Sequence, residues 1–308
     1  KNVLNRGINL ILLNVETEAT IGLALRKEAE KNNAIVTVAD GDEPVAALDL
    51  YNFARELSFD VISIGKGKNN PFDTFATPSS LTKEASLKQM NPKMLTSFVD
   101  GTKTMVEMTA LANFLDFNID IDGMHGIEAT YENINQFYIP KKDGGLLDES
   151  QVVDFAFGIA PGVFAVIYSE DDYVNYEMEY LKMGKGPYWT LARPYHLTSL
   201  EIPRTIRHIM LEKYSKLSAQ SWNVEVVAHA KQDIEPGTNL GSIGGDYIYG
   251  RAQKISSSKG LLPIGIAEDN VATKAIAKGN PIAIDEVDAQ DNELCEYWDY
   301  QNQILDSD

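Results

Sequence analysis

The chain opens with short apolar runs separated by longer amphipathic stretches. Residues 8–13 and 34–39 have the length and apolar character of buried strands. Residues 16–32, which lie between them and are rich in Ala, Leu, Glu and Lys, predict a helix. A further apolar run at 59–64 predicts a third strand.

A second helix is predicted between the second and third strands. Pro44 follows an acidic stretch and favours the first helical position, and Ala46, Leu50, Phe53 and Leu57 fall on one helical face. The order strand, helix, strand, helix, strand is typical of parallel α/β structure, in which the loops after the strands gather at one edge.

The middle of the chain continues this alternation. Residues 152–157, 163–168 and 190–195 predict strands, and the last of them is followed by a helix that we expect to end near Lys216. Tyr173, Tyr176 and Tyr180 share one face of a predicted helix, and we expect this aromatic stripe to pack in the core.

From Trp222 onward, short strands alternate with Gly and Pro turns. Residues 234–240 and 276–282 both follow the pattern Ile-x-x-Gly-x-x-aliphatic. Two such turns, each after a strand, predict a small pseudo-symmetric β domain.

The acidic composition restricts the partners of the chain. Its 308 residues carry a net charge of −18. A chain of this charge repels phosphate backbones and anionic lipids, so we expect neither nucleic acid nor a membrane as its partner. No apolar run approaches the roughly 20 residues that cross a bilayer.

The single cysteine limits covalent and metal chemistry. Cys295 has no second cysteine with which to form a disulfide within the chain or a zinc site. No apolar signal segment follows Lys1. These features predict a cytoplasmic protein.

The charge distribution is uneven. Residues 61–110 hold six lysines and four acidic residues, a local excess of positive charge. Solvated surface lysines would explain this excess, and so would a site for an anionic small molecule in an otherwise repelling field.

Three polar segments at predicted strand or helix ends are candidate site loops, at residues 40–42, 65–70 and 97–103. The last precedes a helix that Asp100 or Thr102 would cap, and free backbone N–H groups at a helix start favour an anion.

Four longer motifs carry a resemblance to a known family. They are GKGKNNP at 65–71, NPKMLTSFVDGTKTMVE at 91–107, GMHG at 123–126 and YLKMGKGPYWTLARPYHLTSLE at 180–201. The chain resembles homoserine-dehydrogenase-like NAD(P)H oxidoreductases that end in a SAF domain, a group that includes a deoxyxylulose-phosphate-reductoisomerase-like branch.

The resemblance implies an α/β fold in three parts. Residues 1–36 would be the tail of a Rossmann dinucleotide-binding domain, and 37–221 an α/β catalytic domain with a mostly open mixed sheet. Residues 222–308, with GLLPIG at 260–265, would be a small β-rich SAF domain of the β-clip type. The Gly-x-Gly-x-x-Gly turn of the Rossmann domain is absent from the sequence, so these residues alone lack the usual site for the adenosine half of a dinucleotide.

The resemblance also implies roles for particular residues. A carbonyl that is reduced needs a group that stabilises the developing alkoxide. The candidate catalytic residues are Lys66, Lys68 and Lys103, with Asp100 orienting a lysine or moving the proton. The candidate substrate-binding residues are Asn69, Ser97, Thr102, His125, Tyr195 and His196. The candidate cofactor-binding residues are Asn14, Glu16 and Asp40.

The implied cofactor is NADP or NAD, and the implied assembly a homo-oligomer. A divalent metal remains an alternative without an assigned ligand set, because a D-x-D-x-x-H cluster ending at His125 is also typical of a solvated acidic loop. His208 and His229 are interpreted as structural.

The predicted function is reduction or oxidation of a small polar hydroxy-carbonyl compound, with anionic character. Two alternatives stay open: a deoxyxylulose-phosphate-reductoisomerase-like activity, and a non-catalytic small-molecule-binding fragment or subunit.

Overall fold

The computed structural model describes residues 1–289 and 292–307. The helices are α1 (Val15–Lys31), α2 (Glu43–Glu56), α3 (Thr82–Leu87), α4 (Pro92–Val99), α5 (Thr102–Leu115), α6 (Asp172–Tyr180), α7 (Ile202–Arg207) and α8 (Glu293–Ser307). The strands are β1 (Leu10–Leu12), β2 (Val36–Val38), β3 (Asp60–Gly67), β4 (Ile127–Glu128), β5 (Val152–Phe157), β6 (Val163–Tyr168), β7 (Tyr188–Arg193), β8 (Val224–Ala230), β9 (Ile248–Lys254), β10 (Val271–Ala272) and β11 (Val287–Asp288).

A mixed five-stranded sheet forms the centre of the molecule. Its strand order is β4-β5-β3-β6-β7, with β3 parallel to β5 and antiparallel to β6. Helices α2 and α5 pack against this sheet. The prediction of α/β structure with a mixed sheet is therefore confirmed.

The first three strands do not form one parallel sheet. Strands β1 and β2 are parallel and make a separate two-stranded sheet. Residues 215–217 lie along the edge of β2 that does not pair with β1. There the Val38 N–H donates to the Leu217 carbonyl at 2.9 Å. Thr37 Oγ1 accepts from the N–H groups of Lys216 and Leu217 at 3.0 Å each. This pairing occupies the position that β3 would take in a continuous sheet.

The same pairing corrects the prediction of a helix ending near Lys216. Helix α7 ends at Arg207 and a π turn continues to Glu212, after which Lys213 adopts a left-handed conformation with φ +59°. The following residues 215–217 make hydrogen bonds to β2.

The tyrosine stripe of α6 does not face the core as predicted. Tyr173, Tyr176 and Tyr180 are 71%, 66% and 69% exposed. Helix α6 instead turns Val174 and Met178 toward the core. The spacing correctly predicts that the tyrosines share a face, but nothing in it states which face meets the sheet.

Helix α2 buries only the first half of its predicted stripe, where Ala46 is buried and Leu50 packs against the core. Phe53 and Leu57 are exposed, whereas the buried face carries small residues such as Ala46, Ala47 and Ala54. Small side chains allow α2 to lie close to β3.

The C-terminal part has an internal pseudo-symmetry, as the repeat predicts. Ile234 and Ile276 exchange both backbone hydrogen bonds, at 2.8 and 2.9 Å. Gly237 and Gly279 occupy equivalent turns with φ of +89° and +84°, a conformation that favours glycine.

This β-rich region packs directly against α5. Met105 and Met108 of α5 belong to the same buried apolar cluster as Val226 of β8 and Ala252 of β9. The helix that contributes to the site below is thus supported by the sheet on one side and by the β-rich region on the other.

Helix α8 fixes a break in α1. Ile21 has non-helical φ and ψ of −139° and 20°, which leaves nearby backbone groups without helical partners. The buried Gln301 side chain accepts from the N–H groups of Leu23 and Ala24 and donates to the Thr20 carbonyl.

Candidate active site

A cleft of about 340 Å³ lies where β3 ends and where α2 and α5 begin. Residues 196–198 close one side of it. Its side chains include those of Leu13, Asp42, Glu43, Lys66, Lys68, Asn69, Asn70, Phe98, Lys103, Thr104, Glu107, His196 and Thr198.

The alternation Gly-Lys-Gly-Lys at the end of β3 places two lysines in the cleft. Successive strand residues face opposite sides of a sheet, so Lys66 and Lys68 share one face. A Cβ on Gly65 would lie 1.8 Å from the Asp154 carbonyl oxygen, and one on Gly67 would lie 2.4 Å from the Ala160 nitrogen. Glycine is therefore required on the crowded face.

Lys66 is held between two carboxylates. Its Nζ lies 2.8 Å from Glu43 Oε1 of α2 and also contacts Glu107 Oε2 of α5. Burial alone would favour the neutral amine, but the charges of Glu107 and Glu43 outweigh it and raise the pKa of Lys66. Lys66 is a fixed cation that joins three elements.

The acidic side of the cleft contains one carboxyl group that binds its proton near neutral pH. Burial, followed by the neighbouring charge of Glu107, raises the pKa of Asp42 to about 8. Burial raises the pKa of Glu43, but the charge of Lys66, the contact with Asp42 and the charge of His196 together outweigh burial and lower the pKa of that carboxyl. At Glu107 burial and then the charge of Glu43 raise the pKa.

This arrangement also bears on a divalent metal. Asp42, Glu43 and Glu107 each present an oxygen, and these atoms lie within 4.8 Å of one another. The Lys66 ammonium contacts two of the three groups and already compensates their charge. The donor set is therefore matched to a lysine, and a metal ion would have to displace it.

Lys103 is a second paired lysine. It lies one turn before Glu107 on α5, and its Nζ donates to Glu16 Oε1 of α1 at 2.9 Å. Burial opposes its charge, but Glu107 and Glu16 outweigh this and raise the pKa of Lys103. This ion pair joins α1 to the cleft.

Lys68 differs from the other two lysines because no carboxylate pairs with it in the part of the chain that the structure describes. Its Nζ donates to the Phe98 carbonyl at 2.5 Å and lies 5.5 Å from the centre of the Phe72 ring. Burial, and then the like charge of Lys66, lower the pKa of Lys68 to about 8. Its ammonium can therefore lose a proton close to neutral pH.

His196 is oriented at the side of the cleft by the turn before α2. The Gly41 carbonyl is 3.0 Å from His196 Nδ1 and accepts from Thr198 Oγ1 at 3.1 Å. His196 Nε2 lies 3.5 Å from Glu43 Oε1. Gly41 has φ +93°, and a Cβ there would meet the Leu197 carbonyl oxygen at 2.7 Å, so the close contact depends on glycine.

Comparison with protein families relates this cleft to a known class of enzyme. The model of the catalytic domain of oxidoreductase DRL matches residues 41–202, more than half of the chain. The chain belongs to this family. Among curated proteins, no match is found. Apart from Leu13, the side chains that line the cleft fall within the matched DRL catalytic domain.

Five of the candidate residues from the sequence meet in the DRL cleft: Lys66, Lys68, Asn69, Lys103 and His196. Glu16 lies at its edge through the bond to Lys103. Lys66 lies within β3 and not in a loop, because the strand extends to Gly67.

Three candidates from the end of α4 to the start of α5 do not line the cleft. Asp100 accepts from the Thr102 N–H at 2.9 Å and pairs with Lys231, but the N-cap position of α5 is Gly101, with φ +88°, and not Asp100 or Thr102 as predicted. Thr102 Oγ1 accepts from the Gly250 N–H at 2.8 Å. Ser97 Oγ donates to the Met94 carbonyl at 2.7 Å.

Two substrate-binding candidates are away from the cleft. His125 Nε2 lies 2.8 Å from Asp120 Oδ2. The backbone N–H of His125 donates to the buried Asp154 carboxylate. Tyr195 is half-exposed and lies under the Arg193 guanidinium, 4.9 Å from its carbon.

The cofactor-binding candidates have structural partners as well. Asn14 caps α1 by accepting from the Thr17 N–H at 2.8 Å. Asp40 is buried and accepts from Thr205 Oγ1 at 2.8 Å. Both follow strands of the small parallel sheet, as the sequence predicts.

Sequence reasoning placed Asp42 in a candidate loop without naming it as a site residue, and it missed Glu43, Glu107 and Thr198 of the DRL cleft. A usable signal existed for one of them, because Glu107 lies four residues after Lys103 and shares its helical face. In the sequence, Asp42 and Glu43 are typical of a helix start. That local role gives no sign that both side chains also line the cleft.

None of the helices in the described residues has the length and apolar character needed to cross a membrane.

Proposed function

We propose that this DRL catalytic domain reduces a small polar hydroxy-carbonyl compound with NAD(P)H, and that Lys68 donates the proton to the carbonyl oxygen. The observation that carries the proposal is the Lys68 ammonium, which lies in the cleft with no carboxylate partner among the described residues and has a pKa of about 8. An ideal general acid titrates near the working pH.

The proposed step balances in the following way. The nicotinamide supplies a hydride to the carbonyl carbon, and the π electron pair moves onto oxygen. A proton passes from Lys68 Nζ to that oxygen, which leaves an alcohol and a neutral lysine amine. The amine then regains a proton from solvent.

The other two lysines have different parts in this proposal. Lys66 and Lys103 are already neutralised by Glu43, Glu107 and Glu16, so each is a poor proton donor. Their fixed charges orient the acidic side of the cleft, and the charge of Lys66 also lowers the pKa of Lys68.

The cleft has groups suited to both the substrate and the nicotinamide end of a cofactor. Asn69, Thr104 and Thr198 line the cleft with neutral polar groups that can bind hydroxyl or carboxylate oxygens. Leu13 is 61% exposed and lines the cleft at the end of β1. This apolar surface suits an uncharged nicotinamide ring, while Asn14 and Glu16 follow it.

The proposal is tested by replacing Lys68 with Met. Purified protein would be assayed for NADPH and NADH oxidation with a panel of hydroxy-carbonyl compounds that includes aspartate semialdehyde and deoxyxylulose phosphate. Loss of a positioned proton donor is expected to lower kcat by about 10²- to 10⁴-fold.

Lys83→Met is the matched control, because Lys83 is an exposed lysine of α3 outside the cleft. It should keep full activity. Equal activity of wild type and Lys68→Met on a turned-over substrate would refute the role of Lys68. Turnover of deoxyxylulose phosphate would favour the reductoisomerase-like branch over a homoserine-dehydrogenase-like reaction.

A further inference from the structure

A fully buried lysine lies behind the cleft, in the C-terminal β-rich region. Lys231 directly follows β8, and its side chain is 1% exposed. Its Nζ is 2.8 Å from Asp100 Oδ2 and donates to the carbonyls of Ala76 and Gly245 at 2.8 Å each. The ammonium therefore makes two hydrogen bonds to carbonyl oxygens and an ion pair with Asp100.

The contact with Asp100 connects Lys231 to the segment that binds the Lys68 ammonium. Asp100 is two residues beyond Phe98, whose carbonyl accepts the hydrogen bond from Lys68. Asp100 also accepts from the Thr102 N–H and so fixes the start of α5. Lys231 is therefore bonded to the short turn that carries the hydrogen-bond acceptor of Lys68.

The Ala76 contact leads to the other side. Ala76 belongs to the loop that begins with Phe72, and the Ala76 N–H donates to the Asp73 carbonyl. The Phe72 ring packs on Gly101, where a Cβ would lie 2.2 Å from the ring, and it covers Lys68. The Lys231 ammonium thus contacts both segments that touch Lys68, the turn with Asp100 and the loop with Ala76.

The charges around Lys68 come from three elements. Lys66 lies on β3, which ends one residue before Lys68, Asp100 lies on the α4–α5 turn and Glu107 on α5. Burial and Lys66 disfavour the Lys68 ammonium, whereas Asp100 and Glu107 favour it. Burial also raises the pKa of Asp100, and Lys231 is the first group that opposes this.

We propose that Lys231 is a positioning residue of the cleft: by pairing with Asp100 and binding the Ala76 carbonyl, it fixes the wall on which Lys68 lies and keeps a carboxylate beside it. The inference rests on the proposed role of Lys68. It gives the β-rich region, which lies outside the matched catalytic domain, a part in the chemistry.

The test follows the titration of Lys68 by NMR in protein with ¹³C-labelled lysines, with the signal assigned through Lys68→Arg. In Asp100→Asn the favourable carboxylate is gone, so the pKa of Lys68 should fall by about one unit. In Lys231→Met the unpaired Asp100 should take up a proton, and the pKa of Lys68 should fall in the same direction.

The double variant Asp100→Asn/Lys231→Met keeps the test usable if Lys231→Met does not fold, because removing both members of a buried pair is better tolerated than removing one. If Lys231 acts through Asp100, the pKa of Lys68 in the double variant should equal that in Asp100→Asn. A direct effect of the Lys231 charge would return the value toward wild type and overturn the proposal.

Lys216→Met is the control. Lys216 is another buried lysine and pairs with Asp49 at 2.6 Å, away from the cleft. It should leave the titration of Lys68 unchanged. An unchanged titration in Asp100→Asn would also overturn the proposal. Since the measurement needs no substrate, it is independent of the activity assay: a shifted titration with an active Lys68→Met enzyme would refute the proposed function alone.

Discussion

The three cleft lysines look equivalent in the sequence, and their neighbours separate them. Lys66 has two carboxylate partners and Lys103 has one, whereas Lys68 has a carbonyl oxygen and an aromatic ring. A paired ammonium resists deprotonation, and an unpaired buried ammonium releases its proton more readily. The contacts therefore favour a structural role for Lys66 and Lys103 and the proposed chemical role for Lys68.

This difference predicts opposite stability effects. Lys66→Met leaves the buried carboxylates of Glu43 and Glu107 without their cation, which should lower the free energy of unfolding by about 3–5 kcal/mol at neutral pH. Lys68→Met leaves no carboxylate unpaired and should cost about 1 kcal/mol or less. Chemical denaturation of both variants measures this.

Acid conditions provide an internal control for that prediction. The penalty in Lys66→Met should shrink as the pH falls, because protonation removes the repulsion between the two carboxyl groups. Equal losses for the two variants, or a loss in Lys66→Met that does not change with pH, would contradict the assigned ion pairs.

The sequence predicted five residues of the cleft, but not their pairing. Glu43 and Glu107 stand 23 and 41 positions from Lys66 along the chain. The motif around each lysine is local, whereas its partner is set by how α2 and α5 pack on the sheet. Local motifs could therefore locate the cleft without predicting which lysine stays unpaired.

At the scale of elements, β3 determines the geometry of the cleft. Its glycines face the neighbouring backbone, while Lys66 faces α2 and α5 and Lys68, just after the strand, contacts Phe98 of α4. The sequence favoured a loop here because glycine and lysine are poor strand formers. Pairing with β5 and β6 on both sides overrides that preference.

Gly65→Ala tests this reading of β3. The new Cβ would collide with the Asp154 carbonyl oxygen, so the strand must shift, and we expect a loss of about 3 kcal/mol in unfolding free energy. Gly144→Ala is the control, since its surroundings are open and only its φ of +96° opposes alanine, at about 1 kcal/mol. Equal losses in thermal or chemical denaturation would contradict the close approach.

Helix periodicity gave reliable element types and less reliable orientations. Helices α1 and α2 and the central strands lie close to their predicted bounds. The tyrosines of α6 and Phe53 of α2 face solvent because each helix buries smaller or fewer residues against the sheet. A stripe identifies a face, and the tertiary packing decides its direction.

Over the whole molecule, the site combines three parts of the chain. Glu16 comes from α1, the cleft lysines from the DRL catalytic domain, and Lys231 from the β-rich region. We propose that the β-rich region is a SAF domain, on the basis of its two glycine turns. The distant parts reach the cleft through buried ion pairs, which composition and spacing cannot predict.

The central claim is that Lys68 delivers a proton during carbonyl reduction, and its most direct test is the pH dependence of the initial rate of NAD(P)H-dependent reduction. Reduction needs the ammonium form, so the rate should fall as the pH rises through about 8, the pKa of Lys68. In Lys68→Arg, which remains protonated, this fall should disappear. A rate that stays level up to pH 10 in the wild type, or the same fall in Lys68→Arg, would contradict the account.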